Sequence, residues 1–166
     1  MLIYHPAYDA YHCIFRMLAI VNVIPNLEVD KARLLDFYLL FPSAMSKIRL
    51  PQALSHARII ARAAANIYRD PINPSATFRE LHHIQEAALK CIAASGIINI
   101  KSYELGIIVR TELAIPEDLS NKLDVFVASQ TESTQFVLKE LSTIPLKGIN
   151  GLKDRTELME YRYDVT

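Results

Sequence analysis

Thr77–Ile115 reads TFRELHHIQEAALKCIAASGIINIKSYELGIIVRTELAI, and the change of period inside it decides the fold class. Thr77-Phe78-Arg79-Glu80 has the form of a capping box, in which the Thr hydroxyl accepts from the N3 amide and the Glu reaches back to the N-cap amide. Phe78, Leu81, Ile84, Ala88, Leu89 and Ile92 then recur at helical spacing, and Gly96 supplies a left-handed C-cap. After Gly96 the period falls to two. Ile98 and Ile100 alternate with polar neighbours. Ile107, Val109, Thr111, Leu113 and Ile115 share one face while Arg110 and Glu112 take the other. The expectation is a helix followed by a β-hairpin, with Ser102–Gly106 as its connection.

Upstream, Pro6 suits a first helical turn, and Ala7–Val23 carries apolar groups on nearly every face, as a central helix does. Pro25 breaks it. Asn26 is placed to cap a second helix over Leu27–Phe41, with Glu28 and Asp30 in its first turn and Pro42 at its end. A third helix is expected over Gln52–Arg69, its buried stripe being Ala57, Ile60, Ala61, Ala64, Ile67 and Tyr68. Downstream, Pro116-Glu117-Asp118 opens a helical stretch with Leu119, Leu123, Phe126, Val137 and Leu141. Its polar middle, Ser129–Gln135, fits either one half-buried helix or two helices meeting at a break. Pro145, Gly148 and Gly151 mark a loop, and Met159, Tyr161, Tyr163 and Val165 alternate as a terminal strand. The fold class is therefore mainly α with small β elements (α+β). Residues 1–115 are expected to form a winged-helix-like helical domain with a β-hairpin. Residues 116–166 form a C-terminal helical extension and strand packed on it as one unit.

The chain has 166 residues, 51% of them apolar and 22% charged. Its mean hydropathy of +0.15 leans toward a chain with some apolar surface covered by a partner. Lys+Arg and Asp+Glu both number 18, so a generic polyanion binder is excluded and any nucleic-acid contact must be local. The N-terminus has no signal-peptide pattern, and the Cys13–Ile24 run, interrupted by Arg16 and Asn22, is too short to span a bilayer. With two cysteines, a cytoplasmic location is expected. Cys13 and Cys91 lie on apolar helical stretches, where buried inert thiols are the usual outcome. His12 beside Cys13 is a poor ligand pair, and His82 and His83 flank an apolar stripe. No His-x-x-x-His or Cys-x-x-Cys spacing, nucleotide loop or G-x-S-x-G is present. The expectation is a chain that is not an enzyme and has no cofactor, metal or small-molecule substrate.

Ser43–Arg69 holds Lys47, Arg49, Arg58, Arg62 and Arg69 and no acid. On one helix, Arg58, Arg62 and Arg69 fall within about 40° of each other, so the row suits an acidic partner surface or successive phosphates. A second cationic group, Lys153 and Arg155 with Arg162, follows the Gly148–Gly151 loop, where a backbone nest for an anion competes with a plain connector. Tyr4, Tyr8 and Tyr11 near the chain start, together with Phe37 and Tyr38, are candidate interface anchors.

Three blocks carry a resemblance. They are Ile3–Arg16 (IYHPAYDAYHCIFR), Leu34–Pro42 (LLDFYLLFP), and Gly151–Thr156 (GLKDRT) with Tyr161–Asp164 (YRYD). With these the chain resembles the small middle components of bacterial ABC-three-component systems, the group that includes the LmuC subunit of Lamassu-type antiphage defence. The resemblance implies a subunit that bridges an SMC/Rad50-like ATPase and an effector such as a nuclease, with DNA contacted within the complex as a further expectation. It implies no catalytic residue. The competing expectation, from the helix order and the arginine row, is a stand-alone winged-helix DNA-binding regulator.

Overall fold

The computed structural model describes residues 5–129 and 131–160. The expected terminal strand and the residues Tyr4 and Arg162 fall mostly or wholly outside that range. Helix α1 (Ala10–Val23) is started by Asp9, whose carboxylate accepts from the His12 amide at 3.0 Å. It buries Met17, Ala19, Ile20 and Val21 and packs on three later helices, as a helix apolar on most faces must. The chain is mainly helical, with a two-stranded antiparallel sheet, as expected for α+β.

The second helix starts later than expected. Asn26–Glu28 is a short strand, β1, and α2 runs Val29–Leu40. Asn26 does not cap it. The Val29 amide is instead satisfied by the Gly106 carbonyl at 2.9 Å, a tertiary bond in place of a side-chain cap. Strand β2 (Ile107–Val109) pairs antiparallel with β1, Leu27 facing Ile108.

The expected hairpin is reduced to one bridge, Ile98 to Arg110. Asn99 caps the Ser102 amide at 2.9 Å, so the predicted connection folds as helix α6 (Ile100–Glu104). Gly106 takes φ +81° to leave that helix.

The third helix is also shorter. A 3-10 turn (Gln52–Leu54) precedes α3, which covers only Ala57–Ala63. Asp70 accepts from the Asn66 amide at 2.8 Å and Asn66 Oδ1 from the Tyr68 amide at 3.0 Å, local bonds that compete with helical ones. The next helix starts earlier than the capping box at Thr77. Asn73 accepts from the Ala76 amide at 3.1 Å with Pro74 at the first helical position, giving α4 (Pro74–Glu80). After Leu81, α5 runs His82–Ala94, and Gly96 follows at φ +81°. Its buried face packs against α1, and the two form the main helix pair.

The polar middle of the last helical stretch is a break between α7 (Glu117–Ser129) and α8 (Glu132–Lys139). Helix α7 packs on α1, Phe15 meeting Phe126 edge-on at 5.1 Å, and α8 packs on α2 and α3. Residues 116–160 thus share one apolar core with the rest. A last short helix, α9 (Leu152–Thr156), follows the Pro145–Gly151 loop. No helix among the described residues is long and apolar enough to cross a membrane.

Candidate docking surface

The arginine row is split by the early end of α3. Arg58 and Arg62, four residues apart, share its exposed face, while Ala57, Ile60 and Ala61 face the core. Arg69 lies beyond, in the turn braced by Asn66 and Asp70, and so leaves the helical row. The same turn reverses the expectation for the stripe. Ile67 and Tyr68, expected inside, are 86% and 90% exposed; Ile59 and Ile72 are 72% and 102% exposed. Asn66 near the end of the expected helix, with Asp70 just past it, two strong turn formers four residues apart, was the signal for this break.

Lys47 is exposed at the end of a 3-10 helix (Pro42–Lys47). Arg49 is engaged: its Nη2 reaches Asp154 Oδ1 at 3.0 Å and Glu157 Oε1 at 3.4 Å and also donates to the Asp154 carbonyl. In the second cationic group Lys153 and Arg155 are engaged as well, and Arg162 lies outside the described residues. Lys153 is buried with Nζ 3.4 Å from Asp30. Arg155 donates to the Asn150 carbonyl at 2.5 Å and to the Arg49 carbonyl. The Asp154 carboxylate accepts from the Asn150 amide at 3.0 Å. In the loop where the sequence leaves open a nest for an external anion or a plain connector, the Asn150 amide is taken by the chain's own Asp154 carboxylate, and α9 is clasped onto the residues around Arg49. Asp154 is held below the ordinary aspartate value of 3.8, first by the Asn150 amide and then by the Arg49 guanidinium.

Of the proposed aromatic anchors, Tyr8 is half exposed and bonds Glu80 at 3.1 Å, and Tyr11 is exposed. Phe37 and Tyr38 are core residues, which corrects their reading as anchors. Phe37 stacks edge-on with Tyr38 and Phe78 at 5.3 and 5.7 Å, so the densely apolar second half of α2 faces inward on both flanks.

A buried polar network holds the three inner helices together. Asp36, fully buried, accepts from Arg16 Nε at 2.6 Å and from Gln85 Nε2 at 2.9 Å. Gln85 also donates to the Arg33 carbonyl at 3.1 Å and accepts from Arg33 Nε at 3.2 Å. Arg33 lies 4.9 Å over the Phe78 ring and 3.4 Å from Asp30, the carboxylate that also meets Lys153. Arg16 within an apolar run and Asp36 within LLDFYLLF were visible in the sequence as charges at core positions; their pairing was not.

Cys13 is buried, and burial pushes its thiol up to about 12, the Asp36 charge adding to the shift. Cys91 corrects the expectation of two buried thiols. It is exposed on α5, at an apolar groove of about 410 Å³ lined by Ile14, Leu18, Ile92 and Leu119 among others. His82 and His83 are exposed, and no cluster of metal-ligating side chains occurs among the described residues. His56, which the sequence did not single out, meets Glu140 at 3.0 Å and lies edge-on to Phe136 at 5.3 Å, joining the α3 and α8 ends.

No curated protein and no solved structure matches the chain. One family model does, and it spans residues 2–164. The chain belongs to the family described as ABC-three component (ABC-3C) system Middle Component 5.

Proposed function

We propose that this chain is a non-catalytic bridging subunit, linking an SMC/Rad50-like ATPase to an effector such as a nuclease in a Lamassu-type antiphage defence complex. The observation that carries the reading is the match over residues 2–164 to a family named for the middle component of a three-component system. The outward display of Ile59, Ile67, Tyr68 and Ile72 supports it, because large apolar groups held in water favour being covered by a partner.

The test is co-expression with the ATPase and the third component of the same gene cluster, with the affinity tag on this chain. The expected result is one complex containing all three, and loss of phage protection when this chain alone is deleted. If ATPase and effector assemble and protect equally well without it, the reading fails. Replacing Cys91, His82 and His83 by alanine should leave protection intact in a subunit that makes and breaks no bond.

A second reading, a stand-alone winged-helix DNA-binding regulator, is favoured by the position of β1 between α1 and α2, paired with β2 beside the Ile98 bridge. The outer face of α5 argues against it. It carries His82, His83 and Glu86, and its Lys90 is engaged by Glu86 at 2.9 Å, so it offers phosphates no cation row. Salt-dependent retention of a DNA duplex by the isolated chain would put this reading first.

A further inference from the structure

We propose that the α3 face and the turn after it form the chain's docking site for a protein partner whose contacting surface is apolar and flanked by carboxylates. This rests on the bridging reading and names the chemistry of one of its two contacts.

Three observations point to that occupant. The first is charge. Between Ile48 and Ile72 the chain has four arginines, no lysine and one acid, Asp70, whose carboxylate is already bonded to the Asn66 amide. Arg58, Arg62 and Arg69 are exposed and have no carboxylate partner among the described residues, so they are open to carboxylates presented by a partner.

The second is the apolar component. Ile59 sits on the same exposed face of α3 as Arg58 and Arg62, and Ile67, Tyr68 and Ile72 follow on the turn and its exit. Isoleucine side chains gain nothing from a phosphate backbone, whereas arginine and tyrosine beside exposed aliphatic groups are the composition of protein interface centres. That separates a protein from a nucleic acid as the occupant.

The third is rigidity. The apex is not a loose loop. Asn66 and Asp70 bond each other's backbone in both directions, the Asp70 amide reaching the Asn66 carbonyl at 2.8 Å, and the Asn66 side chain fixes Tyr68. Asn73 then caps α4 immediately after. Tyr68 and Ile67 are presented in water by a braced turn, so little ordering remains to oppose binding.

The experiment uses the full chain and the purified ATPase and third components of its system, with affinity read by biolayer interferometry, and a fluorescein-labelled DNA duplex as a separate probe. The variants are Tyr68→Ser and Arg62→Glu, both at exposed positions; melting curves matching the parent chain verify that each is folded. The expected result is at least about tenfold weaker binding to one of the two components for each variant. Arg62→Glu is then expected to recover when a carboxylate on that component is changed to arginine. If the parent chain binds neither component, the bridging reading falls and this inference with it. If the parent chain binds and both variants bind within twofold of it, the inference alone falls. Duplex affinity that drops in the variants while component binding holds would assign the face to nucleic acid, and self-association lost in Tyr68→Ser would assign it to a second copy. Either outcome overturns the proposal.

Discussion

Changing Asp36 to alanine removes the one charge that balances Arg16 among the described residues of the helix cluster. In the folded chain Asp36 has no solvent exposure, and Arg16 Nε and Gln85 Nε2 lie 2.6 and 2.9 Å from its oxygens. After the change, the Arg16 guanidinium stays buried with no counter-charge, and Gln85 keeps only its bond to the Arg33 carbonyl on that nitrogen. Removing one member of a buried ion pair costs about 3–5 kcal/mol, most of it from the stranded partner. For a chain of this size each kcal/mol moves the midpoint by about 2–4 °C, so Tm should fall by about 6–20 °C. Urea unfolding followed by circular dichroism gives the free energy directly. The double variant Arg16→Met with Asp36→Leu should recover most of the loss, since no charge is then left inside. A loss under about 1 kcal/mol for the single change, or a double variant no better than the single, would refute the assignment of the energy to an uncompensated charge.

Thiol labelling of the folded chain should modify Cys91 quickly and Cys13 only on unfolding, because Cys13 is buried with its thiol held up at about 12; mass spectrometry of the labelled peptides separates the two, and rapid labelling of Cys13 would contradict its burial. Asp154 titrates lower when folded than its ordinary 3.8, so its contribution is present above that value and is lost as the pH falls through the depressed folded pKa. Thermal unfolding across the acid range should therefore show a smaller pH dependence at the acid end for Asp154→Asn than for the parent chain, and superimposable curves would count against the carboxylate as the holder of the clasp. Gly151→Ala should destabilise by about 1–3 kcal/mol, as overpacking does, because an added Cβ would collide with the Lys147 carbonyl; an unchanged urea midpoint would show that the loop gives way freely.

Apolar patterning was enough to place α1, apolar on most of its faces, the second half of α2, and the stretch that folds as α4 and α5, where Phe78, Leu81, Leu89 and Ile92 are all inside. The breaks were harder. Asn66, Asn73 and Asn99 each end or begin a helix through a side-chain bond to a backbone amide, and such bonds leave only a single residue as their trace in the sequence. The strand pairing of Asn26–Glu28 with Ile107–Val109 is a long-range event that local pattern cannot register. For the same reason the cations were legible as a group but not sorted. Arg49, Lys153 and Arg155 are engaged by distant residues of the same chain, whereas Arg58, Arg62 and Arg69 carry no such ion pair among the described residues.

The clasp between α9 and the segment around Arg49 also bears on how readily that part of the molecule opens. Arg155 and Arg49 meet across 106 positions of chain, and closing a loop of that length costs about 4 kcal/mol in lost chain entropy before any contact rewards it. Because the five-residue α9 is held largely by solvent-exposed hydrogen bonds and ion pairs, whereas α1 and α5 are held by core packing, hydrogen exchange should find the α9 amides opening well before those of α1 and α5.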